Sequence, residues 1–256
     1  MVANEVLSPG DHVVLVDDKG HRRLVKLRSG GQLHSHAGVI AHDQIIGNTE
    51  GFVLLSSSGR RFMVFRPTLS DIVLRMPRGA QIIYPKDLAQ ILLVCDIFPG
   101  AKVVESGVGS GALSMAMLRA GATVTGYEVR EDFANIARRN VEEFLGTNVP
   151  YEVKLRDIRD GIDESNMDRM VLDLPEPWSV VELAEAALHP GGILLCYLPT
   201  INQTAQLRGR LKTSKFVLTE TTELLLRSWH IDERSVRPDH RMVAHTGFIT
   251  HARLIG

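Results

Sequence analysis

The feature that most constrains the fold of this 256-residue chain is a glycine-rich loop between an apolar strand and a helix. The segment Lys102–Glu105 is typical of a buried strand. The pattern Gly107-x-Gly109-x-Gly111 is typical of a tight turn, and the residues after it are typical of a helix. Strands and helices alternate after this loop. The alternation predicts an α/β fold, namely a doubly wound, Rossmann-like parallel sheet with helices on both faces.

Apolar periodicity and turn residues place the other elements of this region. The predicted helices are Pro85–Val94, Gly111–Ala120, Glu131–Leu145, Trp178–Leu188 and Gln203–Leu211. The predicted strands are Lys102–Glu105, Thr123–Tyr127, Tyr151–Leu155, Arg169–Asp173 and Gly192–Leu198, with two more in the tail, Val217–Leu226 and Thr246–Arg253.

The region before Pro67 has a different pattern, with short alternating runs separated by turn signals such as Asp18-Lys19-Gly20 and Ser58-Gly59. Runs of this length predict a small antiparallel barrel or sandwich. Its predicted strands are His12–Val16, Arg23–Leu27, Gly51–Leu55 and Arg61–Phe65. We therefore expect a small N-terminal β domain over residues 1–67 and a catalytic domain over 68–256, which starts with a helical connector.

Composition limits the class of protein and its setting. The two cysteines, Cys95 and Cys196, lie in apolar runs, and 44% of residues are hydrophobic. We expect buried, reduced thiols and a cytoplasmic protein, since no apolar run reaches membrane-spanning length and no signal pattern opens the chain. His34, His36 and His42 resemble a metal-ligand spacing, but no cysteine or carboxylate set completes a site, so we expect no metal.

The net charge of −1 hides an uneven distribution along the chain. Residues 1–90 carry a net +3, residues 91–201 a net −8, and residues 202–256 a net +4. An acidic middle suits a cationic cofactor, and basic flanks suit a polyanion such as RNA, although ordinary surface variation also produces such offsets.

The glycine loop and the residues before it favour S-adenosylmethionine as the cofactor. The loop also fits the dinucleotide pattern, so a nicotinamide cofactor is an alternative, as is a turn without a ligand. Glu105 stands two residues before Gly107, where a carboxylate would repel a pyrophosphate and attract a sulfonium amino acid. The loop also contains no basic residue, as expected for a cofactor without phosphates.

Three side chains beyond the loop complete the predicted cofactor site. Glu128 ends the second strand, where a carboxylate accepts hydrogen bonds from both ribose hydroxyls; its alternative role is a helix cap. Phe133 is a candidate to pack on the adenosine, or simply an apolar helix position. Asp157 follows the third strand and is a candidate acceptor for the adenine amino group, as are other acidic residues nearby.

The segment Asp173-Leu-Pro-Glu-Pro-Trp178 ends the fourth strand and carries the predicted catalytic group. A carboxylate that holds the exocyclic amino group of adenine draws electron density toward the ring nitrogen and offsets the charge that the methylated base acquires. Asp173 is therefore predicted to be catalytic, with a helix cap as its alternative role. Tyr84 is a second catalytic candidate, which would close the pocket or stack on the base, and equally a candidate anchor between the domains.

These segments occur in the order found in a known family. They are Phe65-Arg-Pro-Thr68, Ile83-Tyr-Pro-Lys-Asp87, Glu105-Ser-Gly-Val-Gly-Ser-Gly111, Leu172-Asp173-(x)3-Pro177-Trp178, Tyr197-Leu-Pro199, Arg237-Pro238 and His245-Thr-Gly-Phe248. The chain resembles the prokaryotic tRNA (adenine-58-N1)-methyltransferases, most of all the actinobacterial members. Ser106 and Val108 depart from the usual loop residues of the family, and the turn after Arg119 is shorter.

The resemblance implies a class I methyltransferase fold, a homotetramer, and S-adenosylmethionine-dependent methylation of N1 of an adenine in the tRNA T-loop. It also implies that Asp173 faces both the cofactor and the base. Glu105 is predicted from its place before the loop, and the cofactor residues that the resemblance implies are Gly107, Gly109, Ser110, Gly111, Ala112, Leu113, Glu128, Phe133, Asp157 and Asp173.

Two other functions compete with tRNA methylation, and each has its own discriminating feature. A methyltransferase for another substrate would not bind tRNA, and a non-catalytic tRNA-binding subunit would not need Glu128 and Asp173 together. For the RNA itself, we expect contacts from arginines in the basic flanks, contributed by more than one subunit. The candidates are Arg22, Arg23, Arg60, Arg61, Arg208, Arg210, Arg237 and Arg241.

Overall fold

A computed structural model describes residues 5–79 and 81–256. The chain divides into two compact units, of which the first ends at Met76 and the second begins at Pro77. No helix in the described ranges is long and apolar enough to cross a membrane. Cys95 and Cys196 are buried free thiols, as predicted.

The first unit is an antiparallel β structure, as predicted. Its elements are β1 His12–Asp17, β2 Arg22–Lys26, β3 Gln32–Ser35, β4 Gly38–Ala41, β5 Phe52–Leu55, β6 Arg61–Phe65 and α1 Leu69–Arg75. A four-stranded sheet has the order β2-β1-β6-β5, and β3 and β4 form a separate hairpin that the sequence pattern did not predict. Alternate residues of β1, such as Val13 and Leu15, are buried in its core with Ile40 of β4.

Helix α1 belongs to the first unit, which therefore extends past the predicted boundary at residue 67. Thr68 caps the helix in a capping box with Asp71. The Asp71 carboxylate also accepts hydrogen bonds from Arg22 of β2 at 3.0 Å and from Arg75 at 3.3 Å. The hydrogen bond from Arg22 connects the helix to β2. Removing either arginine would leave the largely buried Asp71 charge poorly compensated.

The second unit consists of a seven-stranded sheet with helices. Its elements are α2 Pro85–Val94, β7 Lys102–Ser106, α3 Ala112–Arg119, β8 Thr123–Glu128, α4 Glu131–Leu145, β9 Tyr151–Leu155, β10 Met167–Leu172, α5 Val181–Ala187, β11 Leu188–Leu198, α6 Ile201–Leu211, β12 Phe216–Glu223, β13 Trp229–Asp232, β14 Ser235–Pro238 and β15 Phe248–Leu254.

The strand order in this sheet is β12-β15-β11-β10-β7-β8-β9. The five strands from β11 to β9 are parallel, which confirms the doubly wound prediction. β15 inserts antiparallel between β11 and β12, so the complete sheet is mixed. The chain moves outward from β7 through β8 to β9 and then returns to β10, which makes the β7–β10 boundary the switch point where such folds bind ligands.

The predicted strand Val217–Leu226 extends three residues beyond the carboxyl end of the observed strand β12. β12 ends at Glu223, and Leu225 and Leu226 lie outside the sheet with more than half of their surface exposed. The chain then forms the β13–β14 hairpin before it returns to β15. The sequence pattern did not predict this hairpin.

Candidate active site

The glycine loop turns sharply at the carboxyl end of β7, directly beside the end of β10. The Gly107 and Gly111 φ angles of 84° and 81° lie in the left-handed region that favours glycine. A Cβ on Gly107 would lie 2.0 Å from the Asp173 carbonyl oxygen, and one on Gly111 would lie 3.2 Å from Ala137 Cα. The loop therefore packs on backbone at both ends, and the Asp173 N–H donates to the Ser106 carbonyl at 2.9 Å.

Glu128 faces this loop from the end of β8 and is 7% exposed. Its Oε2 accepts from the Gly109 N–H at 3.0 Å, and its Oε1 accepts from the Arg130 N–H at 3.0 Å. The second contact satisfies a free amide at the start of α4, so the capping role is partly realised. Each carboxylate oxygen retains capacity for a further donor, such as a ribose hydroxyl.

Glu105 lies beneath the loop on β7 and is 1% exposed. The Ser114 hydroxyl donates to its Oε2 at 2.6 Å, and the Tyr151 hydroxyl lies 3.1 Å from Ser114 Oγ. Burial, helped by the negative charges of Asp173 and Glu128 and opposed by the hydrogen bond from Ser114, raises the pKa of Glu105 to about 8. A nearby cation would favour its ionised form.

Asp173 is a partly buried carboxylate at the switch point. Burial, assisted by the charge of Glu128, raises its pKa to about 7. Among the described residues no group donates a hydrogen bond to its side chain, and it caps no helix, since Glu176 and Val180 occupy the N-cap positions of the next 3₁₀ turn and of α5. Its carboxylate is therefore available to a ligand.

Asp157 and Phe133 have partners of their own within the protein. Arg159 forms an ion pair with Asp157 at 2.6 Å, and its hydrogen bonds lower the pKa of this carboxyl. The Arg130 guanidinium stacks 3.8 Å above the Phe133 ring, so the ring is more than an apolar helix position. Asp157 remains an acceptor in its ion pair, because a carboxylate has more lone pairs than Arg159 uses.

These side chains border a cleft of two adjoining cavities, of about 340 and about 370 Å³. The first brings together most of the predicted cofactor residues: Glu105, Gly107, Gly109, Ser110, Ala112, Leu113, Glu128, Phe133 and Asp173. Asp157 lines the second cavity, with Ile158 and Arg159. The two cavities share Gly107, Glu128, Val129, Leu174 and Pro175.

Two predicted residues are not part of the cleft walls. Gly111 lies behind the loop, against α4. Tyr84 is the residue before α2 and lines neither cavity, whereas its neighbours Ile82 and Ile83 line the first. Neither isoleucine was predicted to be a site residue, although both directly precede the Tyr84-Pro85 pair.

The chemistry of the first cavity suits a cationic ligand with polar groups. Three carboxylates line it, and within the described part of the chain Arg130 is the one basic lining residue, itself paired with Asp132 at 2.7 Å. The Ser110 hydroxyl is buried there without a hydrogen-bond partner among the described residues. A buried hydroxyl without a partner is costly, so it indicates a polar ligand group at this position. The described residues contain no cluster of His, Cys, Asp or Glu that could hold a metal.

The sequence matches two protein families and several known relatives. The family described as "tRNA methyltransferase complex GCD14 subunit" matches residues 62–245, and a "TrmI-like N-terminal" family matches residues 6–54. The chain is 35% identical to the tRNA (adenine(57)-N(1)/adenine(58)-N(1))-methyltransferase TrmI of Methanocaldococcus jannaschii, over 94% of each chain. It is also 35% identical to the tRNA (adenine(58)-N(1))-methyltransferase TrmI of Thermus thermophilus, over 94% of this chain and 96% of that one.

Two solved structures have the same fold over nearly the whole chain. A protein described as a SAM-dependent O-methyltransferase, from Thermotoga maritima, has a TM-score of 0.94 and 33% identity over 98% of this chain and 95% of that chain. The tRNA (m1A58) methyltransferase TrmI of Aquifex aeolicus has a TM-score of 0.87 and 29% identity over 98% of this chain and 100% of that one. With its glycine loop, its acidic cleft and these relatives, the chain belongs to the TrmI family of tRNA (adenine-58-N1)-methyltransferases.

Proposed function

We propose that this protein transfers a methyl group from S-adenosylmethionine to N1 of adenine 58 in the T-loop of tRNA. The observation that carries the proposal is the Asp173 carboxylate, which has no side-chain donor among the described residues and lies beside a glycine loop at the switch point of the sheet. The names of the relatives support tRNA as the substrate. The unit that begins at Pro77 contains all the residues of this site.

Each cofactor residue has a distinct role in this proposal. The glycine loop gives close backbone approach, and Glu128, held by Gly109 and Arg130, accepts from the ribose hydroxyls. The carboxylates of Glu105 and Asp173 face the positive end of the cofactor, while Ser110 supplies its free hydroxyl. Asp157 accepts from the adenine amino group in the second cavity, and Phe133 packs on the cofactor.

Asp173 also acts on the target base. The cofactor supplies an electrophilic methyl group on a sulfonium, which becomes a neutral thioether on transfer. The adenine N1 lone pair forms the new C–N bond, so the positive charge moves to the base and no proton has to leave. An ionised Asp173 accepts from the exocyclic amino group and stabilises that charge, and Tyr84 is retained as a candidate to stack on the base.

The experiment that tests this function is methylation of a tRNA transcript, followed by nucleoside mass spectrometry. We expect 1-methyladenosine from the transcript, and none when position 58 is guanosine. Asp173→Ala should lower turnover by orders of magnitude, while Glu152→Ala, which removes an exposed carboxylate of β9 that lines neither cavity, should keep nearly the parent rate. Methyl groups on ribose oxygen or on no nucleoside would refute the proposal.

The tRNA is the proposed macromolecular partner, and the arginines of the basic flanks are its proposed contacts. Two of the eight candidates have their charge compensated within the protein: Arg22 by Asp71 at 3.0 Å and Arg210 by Glu182 at 2.8 Å. Arg60, Arg61 and Arg241 are exposed. We propose that these three contribute most to phosphate binding, with Arg23, Arg208 and Arg237 in support.

We also propose a cytoplasmic homotetramer. The β13–β14 hairpin supports self-association, because Trp229, Ile231 and Val236 lie on one of its faces and are 56%, 73% and 67% exposed. A two-stranded hairpin is marginally stable alone in water, so a second copy of the chain is the proposed cover for this face. Sedimentation should show a tetramer for the unmodified protein and smaller species for Ile231→Asp. A monomer at micromolar concentration would refute this.

A further inference from the structure

A buried charged cluster beside the cleft has no role in the proposed chemistry. Its members are Lys86 and Asp87 in the first turn of α2, Tyr197 near the end of β11, and Thr246 before β15. Asp87 is 0% exposed, and the Lys86 side chain is 7% exposed. Burying two charges costs several kcal/mol per ion, which the pair recovers only with good geometry and further hydrogen bonds.

The hydrogen bonds within this cluster use the full capacity of the lysine. The Lys86 ammonium donates to Asp87 Oδ1 at 2.8 Å, to the Leu224 carbonyl at 2.8 Å and to Thr246 Oγ1 at 2.6 Å. An ammonium has three donors, so none is left over. The Thr246 hydroxyl in turn donates to Asp87 Oδ2 at 2.6 Å, and the Tyr197 hydroxyl donates to the same oxygen at 3.3 Å.

The two partners of Lys86 outside α2 lie at the two ends of the segment that connects β12 to β15. Leu224 is where the chain leaves β12, and Thr246 is where it returns toward β15. We call residues 224–246 the arm; it contains the β13–β14 hairpin and four arginines, of which Arg227, Arg234 and Arg241 are exposed. The Lys86 ammonium thus holds the two ends of the arm, which we call its base, together.

The same cluster lies near the walls of the candidate active site. Lys86 and Asp87 follow Ile82 and Ile83, which line the first cavity. The Tyr197 ring lies so close to Gly247 that a Cβ there would come within 2.4 Å of the ring. The negative charge of Asp173 is near enough to help burial raise the pKa of Tyr197. The base of the arm and the catalytic carboxylate therefore share one side of the cleft.

We propose that Lys86, Asp87 and Thr246 form a clasp that positions the arm for the RNA substrate, and that they act as positioning residues rather than catalytic ones. This inference rests on the proposed function. None of the three lines the cofactor cavities, so the clasp should leave cofactor binding intact. Its loss should instead release the arm and its arginines from the orientation in which they meet RNA.

The test compares Thr246→Val with Thr246→Ser, which differ in the hydroxyl that joins Lys86 to Asp87. In Thr246→Val we expect at least a fivefold higher KM for tRNA, a cofactor Kd within twofold of the parent, and faster amide exchange over residues 224–246. Thr246→Ser should restore all parent values. Lys86→Met is the stronger version, and Lys102→Met, which removes an exposed charge at the amino end of the central strand β7, is its control.

The outcomes separate this proposal from the proposed function. Lack of tRNA methylation by the unmodified protein would overturn the function. Methylation with an unchanged KM and unchanged arm exchange in Thr246→Val would overturn the clasp alone. An equal loss of cofactor affinity and tRNA affinity would also overturn the clasp, because a general disturbance of the unit has that effect.

Discussion

Cofactor binding by this protein should release protons, and the number released follows from the cleft. Before binding, the pKa values of Asp173 and Glu105 stand at about 7 and about 8, so both groups are mostly protonated at pH 6. For Asp173 this is about three pH units above its ordinary value of 3.8, equivalent to about 4 kcal/mol against the ionised form. A sulfonium and an ammonium placed in the cavity favour the ionised forms and lower both pKa values.

The expected result is a steep dependence of affinity on pH. Linkage requires Kd to fall about tenfold per pH unit for each proton released. Between pH 5.5 and 6.5 the Kd for S-adenosylmethionine should therefore fall by between about tenfold and about a hundredfold, and it should level off above pH 8. The product S-adenosylhomocysteine has no sulfonium charge, so its binding should release fewer protons.

Calorimetry at pH 6.5 in two buffers of different ionisation enthalpy counts these protons directly. Asp173→Asn and Glu105→Gln should each remove up to one proton from the count, and the double variant should remove both. The amino group of the cofactor also titrates near neutrality, but its contribution is common to all variants and cancels in the comparison. Equal proton counts for the unmodified protein and the double variant would refute the reasoning.

Three further predictions concern the loop, the buried glutamate and the RNA. Gly107→Ala should abolish cofactor binding and lower the free energy of unfolding by about 2–5 kcal/mol in a denaturant titration, since the new Cβ would meet the Asp173 carbonyl. The control Gly209→Ala places its Cβ in open space on α6 and should be neutral or stabilising in the same titration. Glu105→Gln should stabilise the cofactor-free protein by about 2 kcal/mol or more at pH 8.5 and by less at pH 5. The pKa of Glu105 is raised in the folded protein, so the unmodified protein loses stability as the pH rises from about 4.5 to about 8, and glutamine avoids this loss. A stability difference that does not change with pH would contradict this. Affinity for tRNA should fall by roughly 10³ between 50 and 200 mM salt if roughly six phosphates are contacted, and a flat response in filter binding would argue against an RNA substrate.

The sequence predicted most elements of the second unit because their signals are local. α2 begins at its proline and α4 at the acidic pair Glu131-Asp132, and the bounds of both helices were predicted correctly. The hairpins β3–β4 and β13–β14 were missed, because each of their strands has only 4 residues and apolar residues of β13–β14 face outward instead of toward a core. The antiparallel insertion of β15 depends on packing with β11 and β12, which periodicity does not encode.

The candidate site was predicted to a similar extent. The residues that line the first cavity follow strand ends, and the parallel sheet brings these ends together. Two properties depend on three-dimensional contacts and were beyond the sequence: the ion pair that already engages Asp157, and the mutual repulsion of Glu105, Glu128 and Asp173. The sequence pattern indicates Tyr84 through its aromatic ring and its place before Pro85, but it does not indicate that Ile82 and Ile83 line the cavity.

The contact between Gly107 and Asp173 has a consequence for how substrates enter. The Asp173 N–H bonds to Ser106, and the Asp173 carbonyl packs against the Gly107 Cα, so the glycine loop and the Asp173 backbone move as one body. If the two segments hold the methyl donor and the base as proposed, the resting protein already fixes the spacing between them. If the cleft opens to admit the cofactor, the movement must come from the opposite walls, residues 81–83 and 129–133. NMR relaxation-dispersion measurements should locate millisecond motion there.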